Sequence, residues 1–368
     1  MQQKYDVAAY IWPAYTGDEP RTRIFWEKGI GEWQTVQTAQ SRVPGEVLPR
    51  RPLWGYQNEA DPKVMEFQIR QAVSHGVNTF IYDWYWFDGR PFLEQCLDQG
   101  FLQAENRQDM KFYLMWANHD ATCLWDKRNC NVHEVVWKGS VPRAEFDRVC
   151  DRVISKYFVQ PNYYKIDGCP VFMIYDVCNL VRGLGGIDAT RRALDDFRDK
   201  VRRAGFPNLH LQLTLWREDA VDISGVDSGR TGSTREIIPL LGFDSMTHYQ
   251  FVHFANYAQP YPAVMEEVRR EWQRIDETYD IPYFPHISVG WDNNPRFTDS
   301  TFPIMTETTP ENIRQGFLAA RQYVDTHRLP APLVTVNSWN EWTEMSYLEP
   351  DDVNGTGYLD ALRDVFLK

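Results

Sequence analysis

Val334-Thr-Val-Asn-Ser-Trp-Asn-Glu-Trp-Thr-Glu-Met-Ser-Tyr-Leu-Glu-Pro350 runs from an apolar strand directly into a cluster of carboxylates, amides and indoles. The strand reading covers Leu333 to Ser338, and the chemistry begins where it ends. The same form recurs along the chain. Tyr5 to Trp12, Val77 to Trp86, Lys111 to Asn118, Pro170 to Asp176, Leu209 to Trp216, Phe243 to Tyr249 and Tyr283 to Val289 are short apolar runs, most of them finishing in polar or aromatic residues. These runs lack clean polar alternation, as parallel strands covered on both faces do.

Between the runs lie helical patterns. Asp61-Pro62 opens one that closes at His75-Gly76, and Pro91 to Phe101, Ala144 to Tyr157, Ala189 to Ala204, Ala263 to Tyr279, Pro310 to His327 and Gly357 to Leu367 follow. Eight strands alternating with helices predict an α/β chain: a single (β/α)8 TIM barrel with long βα loops, spanning residues 1–368. An open doubly wound sheet is the alternative, but no Gly-x-Gly-x-x-Gly follows the first strand and no phosphate loop is present. The segment from Pro13 to Trp54 is long, irregular and rich in aromatics, which marks a packed, functional loop.

In such barrels the chemistry sits at the C-terminal ends of the strands. Tyr10 and Trp12, Asp83, Tyr85 and Trp86, Trp116 and Asn118, Tyr175, His248 and Tyr249, Trp291 and Asp292, Trp339 and Asn340 all fall there, and we take them as substrate-binding candidates. Glu341 and Glu344 are the catalytic candidates, because glycoside hydrolysis needs two carboxyl groups beside one bond. If their turn is helical, their Cβ atoms lie about 5–6 Å apart. That favours retention, since inversion needs about 6.5–9.5 Å between the carboxyls to admit water. Two adjacent carboxyls also push their pKa values apart, which lets one stay protonated while the other ionises. Blander readings stand beside these: Asp83 and Asp176 as turn caps, Trp33, Trp54 and Trp125 as packing of the loop layer, and His119, His248 and His286 as hydrogen-bonded structure.

Composition sets further limits. A net charge of -12 without a basic block excludes a nucleic-acid partner. Aromatic residues make up 14% of the chain, more than a core of this size requires, and aromatic-lined clefts with a few polar groups suit sugars. The expected partner is therefore an oligosaccharide or polysaccharide. No apolar run is long enough to span a bilayer, and oligomeric state is not encoded in any pattern here. No His-Glu-x-x-His or Cys-x-x-Cys spacing points to a metal, and no motif points to a cofactor, so none is expected. Cys123 and Cys130 flank a polar loop and admit either free thiols or, in an oxidising compartment, a disulfide. The opening Met-Gln-Gln-Lys enters a strand at once with no visible signal peptide, which predicts a cytoplasmic protein or a mature periplasmic or surface form.

The segment Asn337 to Pro350 resembles the terminal motif of glycoside hydrolase family 99 and of the bacterial family 99-like (WbsX) proteins of polysaccharide loci. The likeness extends through Gly31-Glu32-Trp33, Trp54-Gly55-Tyr56, Gly76 to Phe87, Trp116-Ala117-Asn118, Gly168 to Tyr175, Gly242-Phe243-Asp244 and Gly290-Trp291-Asp292-Asn293 with Pro295-Arg296. It implies a (β/α)8 barrel acting on glycans. In the characterised hydrolases of that family, which cleave α-mannosidic linkages with retention, the first Glu of the motif deprotonates the sugar 2-hydroxyl and a 1,2-anhydro intermediate forms. The second is general acid, then base. The resemblance thus implies the first role for Glu341 and the second for Glu344. Many bacterial relatives carry the label glycosyltransferase, which is the alternative function, and a non-catalytic carbohydrate-binding barrel is a third. Two positions depart from the pattern. Met345 stands where relatives usually have Gly, which predicts a different turn after Glu344, and His119-Asp120 stands where the bacterial relatives tend to have Asn-Glu.

Overall fold

The computed structural model describes residues 3–17, 19–128, 131–216 and 234–368. Cys130, and the polar residues Arg217 to Asp219 after the fifth strand, lie outside the described residues. The eight expected strands are all present: β1 (Asp6–Ile11), β2 (Thr79–Phe87), β3 (Lys111–Trp116), β4 (Cys169–Ile174), β5 (His210–Thr214), β6 (Ser245–Thr247), β7 (His286–Ser288) and β8 (Leu333–Asn337). Each pairs in parallel with its sequence neighbour from β1 through β6, β1 pairs with β8, and β8 pairs with β7. A parallel bridge from Met246 to Tyr283 links the β6 and β7 sides, so the sheet forms the ring of a (β/α)8 TIM barrel.

The barrel interior is filled rather than hollow. Tyr10, Tyr113, Met173 and Thr335 are fully buried, and the polar members among the filling residues satisfy one another. Thr247 and Thr335 share a hydroxyl hydrogen bond of 2.8 Å, and the His286 ring nitrogens meet Thr335 and Ser288 at 2.9 and 3.0 Å. Tyr113 donates to Gln212 at 3.1 Å. This packed layer is the floor on which the site rests.

Local chemistry sets the helix ends. Asp61 accepts the Lys63 N–H at 2.8 Å and starts Pro62–Ser74, with the proline where no backbone donor is needed. Thr309 plays the same part for Pro310–Thr326. One stretch differs from expectation. Pro91 to Phe101 is not a single helix: Arg90–Phe92 folds back antiparallel on the end of β2, and helical turns cover only Cys96–Gln103. The cause is Asp88-Gly89, both in the left-handed region at φ +52 and +71, the geometry of a tight hairpin turn that this dipeptide favours.

Candidate active site

The mouth of the barrel holds a cavity of about 550 Å³ at the C-terminal ends of the strands. One wall is aromatic, with Trp12 and Trp125 at 5.2 Å between ring centroids, Tyr85 beside Trp125 at 5.7 Å, and His119 edge-on to Tyr85 at 5.6 Å. Burial lowers the His119 pKa and favours the neutral ring. The aromatic lining continues from His119 to Tyr175, 5.4 Å away edge-on, and on to Trp216, Tyr249 and His253. Glu341, Glu344, Asp83 and Arg296 form the base.

The turn after β8 aims the two glutamates. Ser338 Oγ donates to the Ser346 carbonyl at 2.7 Å and accepts the N–H groups of Asn340 and Glu341 at 3.1 and 2.7 Å. Asn340 and Glu341 then pair antiparallel with Tyr347 and Ser346, and Trp342–Glu344 makes one tight helical turn. Met345 closes it at φ +53. The turn is thus of the kind glycine adopts without strain, and Met345 is held in it despite its side chain. The loop after β7 clamps this turn: Asp292 N–H donates to the Glu344 carbonyl at 2.8 Å, and a side chain on Gly290 would collide with the Met345 carbonyl.

Arg296, 5% exposed, organises the charges. Its Nη1 donates to Glu344 at 2.6 Å and its Nη2 to Glu341 at 3.2 Å, while its Nε lies 3.5 Å from Glu32. Glu32 in turn accepts the Trp12 indole N–H at 2.5 Å. Burial works against the guanidinium charge, but Glu344, Glu32 and Glu341 outweigh it and hold the proton more firmly than usual. Burial raises the carboxyl pKa of Glu32, and lifts that of Glu341 well above the ordinary range, with Glu344 pushing the same way and Arg296 opposing. Burial also lifts Asp83, which accepts the Tyr249 hydroxyl at 2.9 Å.

Behind the turn runs a second buried network. Asn340 Oδ1 accepts the Trp12 backbone N–H at 2.8 Å, and its Nδ2 donates to the Trp12 carbonyl at 2.9 Å and to Glu59 at 3.0 and 3.1 Å. Gln68 links Glu59 to the Trp339 indole, and burial pushes Glu59 up to about 7. Glu349, whose pKa burial also raises, accepts the Trp342 indole at 2.7 Å.

Of the residues singled out by position, Trp12, Asp83, Tyr85, Tyr175, Tyr249, Trp291, Glu341 and Glu344 line the cavity. The others are turned elsewhere, mostly because successive strand residues face opposite sides of the sheet. Asp83 and Tyr85 look inward, so Trp86 looks outward and donates to Glu145 at 3.2 Å. Met115 and Ala117 look inward, so Trp116 packs on Phe146 of the helix Arg143–Val153. Tyr10 points inward but lies below the cavity, where its hydroxyl donates to the His248 carbonyl at 3.0 Å and its ring meets Tyr249. His248 faces out, its Nδ1 2.7 Å from the Tyr283 hydroxyl. Asn118 brackets the Asp176 backbone, accepting its N–H and donating to its carbonyl, both at 2.7 Å. Asp292 caps Asn294 and lines a smaller neighbouring cavity, with its carboxyl pushed up by burial to about 6. Trp339 is buried against Phe80 and Trp54, and Asn340 is spent on the network above. Among the readings left open, Trp125 lines the cavity, whereas Trp33 packs on Tyr15 and donates to the Gln57 carbonyl at 2.6 Å. Asp176 does both, capping Asn179 at 2.8 Å and lining the cavity.

Arg296, Glu32, Glu59 and His253 were not among the positional candidates. Arg296 and Glu32 stood only inside the resemblance motifs, in loops where no periodicity marks a buried charge.

The sequence profile of the family described as "Glycosyltransferase WbsX" matches residues 7–362 of this chain. A curated relative, "Uncharacterized protein WxcX" of Xanthomonas campestris pv. campestris, is 28% identical over 357 residues, a span of 95% of this chain and 48% of that protein. The chain therefore spans about half the length of the curated relatives it matches. Among solved structures, a "Glycoside hydrolase-like protein" superposes with a TM-score of 0.62 at 16% identity, covering 99% of this chain and 94% of the other. The GH99 endo-α-mannosidase of Bacteroides thetaiotaomicron superposes with a TM-score of 0.58 at 12% identity, covering 97% and 95%. At these identities the two superpositions are likenesses of fold.

Proposed function

The chain belongs to the WbsX family, and from the paired glutamates at the barrel mouth we propose that it is a retaining glycoside hydrolase acting on an α-linked glycan, one that contains mannose being the first to test. The observation that carries the reading is the grip of one guanidinium on both Glu341 and Glu344 inside an aromatic-walled cavity. Two carboxyls fixed on one short turn, beside rings that can face the apolar side of a sugar, are the components glycoside hydrolysis requires.

In this reading Glu341 takes the proton of the sugar 2-hydroxyl as that oxygen closes on the anomeric carbon, and Glu344 gives a proton to the departing glycosidic oxygen. Water, deprotonated by Glu344, then opens the 1,2-anhydro sugar at the anomeric carbon, and the 2-oxygen recovers its proton from Glu341. Two displacements give net retention. Burial supports the first role, because a carboxylate whose pKa is raised is a stronger base toward a hydroxyl. The Glu344 Oε2, buried and without a hydrogen-bond partner among the described residues, is in place to face a leaving oxygen.

A glycosyltransferase is the second reading, favoured by the family's own description. It would move the sugar to an acceptor hydroxyl where the hydrolase uses water. A panel of α-linked oligosaccharides, followed by NMR at the anomeric carbon with no nucleotide sugar present, separates them. Turnover with retention supports the hydrolase. Inversion, or turnover that starts only when a nucleotide sugar is added, rejects it.

A further inference from the structure

Tyr249 stands between two carboxyls. Its hydroxyl lies 2.9 Å from Asp83 Oδ2 and 3.2 Å from Glu341 Oε1. A phenol has one proton and can donate to only one of them. If both acids were ionised, the second contact would set a carboxylate oxygen against a phenol lone pair in a buried site. Both contacts become hydrogen bonds only when one of the two acids carries a proton and donates it to the Tyr249 oxygen.

The surroundings decide which acid that is. Glu341 Oε2 is 3.2 Å from Arg296 Nη2, so a negative charge there meets a cation, one that Glu344 and Glu32 share. Asp83 is 2% exposed, and among the described residues no cation forms an ion pair with it. Burial is the main cause raising the pKa of Asp83, with the Tyr249 hydrogen bond opposing it and Glu344 adding to it, and Tyr85 is a second phenol beside it. Among the described residues the Oδ1 of Asp83 is buried without any hydrogen-bond donor. An unpaired carbonyl oxygen of a neutral acid is far cheaper to bury than half of an unpaired carboxylate.

We propose that Asp83 is held as a neutral acid at physiological pH, donating through the Tyr249 hydroxyl so that Glu341 stays the ionised member of the pair. Asp83 Oδ2–H donates to the Tyr249 oxygen, and Tyr249 O–H donates to Glu341 Oε1. Asp83 is then a positioning residue: it fixes the phenol's orientation and keeps a second negative charge away from Glu341. The inference deepens the glycosidase reading, because it accounts for a charged base among several buried acids. Its physical content stands without a substrate, and so does its test.

Protein labelled with ¹³C at the aspartate side-chain carboxyl is titrated by NMR from mildly acidic to mildly alkaline pH. The expected result is one signal at the protonated position that does not move over the range, lost in Asp83→Asn and unchanged in Glu46→Gln, a substitution in the neighbouring cavity. If every aspartate signal of the wild-type protein lies at the ionised position at neutral pH, the proposal is overturned, and no variant is needed for that outcome. A protonated signal that persists in Asp83→Asn overturns it equally. In infrared difference spectra, Asp83→Asn should remove one protonated-carboxyl band, and retention of the full band would count against the assignment. Loss of glycan turnover in all proteins would reject the glycosidase reading and leave these spectra unaffected.

Discussion

Replacing Arg296 with methionine tests the electrostatic frame of the site. The guanidinium lies 2.6 Å from Glu344, 3.2 Å from Glu341 and 3.5 Å from Glu32, all of them buried. At an effective dielectric near 20, unit charges about 4 Å apart attract by about 4 kcal/mol, so the three contacts together exceed the cost of burying the guanidinium. Removing one partner from such a buried cluster costs about 3–5 kcal/mol, because the remaining charges are left uncompensated. Arg296→Met should therefore lower unfolding free energy by that amount near neutral pH, read from urea denaturation followed by tryptophan fluorescence. The sign of the pH dependence follows. Without the cation the folded-state pKa values of Glu32 and Glu341 rise further above their unfolded values. Such groups contribute stability below the unfolded pKa and lose it as pH rises through the folded one, so the deficit should be largest at neutral pH and shrink in mild acid. A deficit below about 1 kcal/mol at neutral pH, or one that grows on acidification, would refute the reasoning.

Three further outcomes are expected. Glu344→Gln should lower turnover of unactivated glycans by about a hundred- to ten-thousand-fold, and an aryl glycoside with a good leaving group should regain most of the first step. Glu59 is raised from the ordinary carboxylate range to about 7, so its contribution is complete below the unfolded pKa and fades as pH climbs toward that value. Glu59→Gln should flatten this loss by up to about 3 kcal/mol, measured as urea-unfolding free energy across the interval. At Met345, with φ +53, glycine should be neutral or stabilising by up to about 1 kcal/mol, while the β-branched Met345→Val should lower stability by about 1–2 kcal/mol.

Much of this was legible before the structure. The eight strands stood out because parallel strands buried on both faces are unbroken apolar runs, and the two glutamates stood out because they follow the last of these at once. What the reading blurred was parity. Asp83, Tyr85 and Trp86 read as one cluster at a strand end, although a strand cannot show neighbours to the same side, and Trp86 and Trp116 are the outward members. The Asp88-Gly89 hairpin was present in the sequence as a turn dipeptide and was overrun by a helical pattern. Arg296 and Glu32 were hidden for a different reason. They come from irregular loops, where the partner that makes a buried charge tolerable is remote in sequence.

Asn340 holds both backbone groups of Trp12 across a separation of 328 residues. A ribosome therefore delivers one half of the site long before the other. Trp12 and Glu32 emerge early and must wait, with an aromatic surface and an unbalanced charge, until the final barrel strand arrives to cover them. Closing so large a loop costs little more entropy than closing one half as long, but it cannot begin until the eighth strand has been made. The nascent barrel is accordingly exposed to aggregation at the face that later closes over the cavity, and chaperones that shield aromatic surface should act on it before the eighth strand is made.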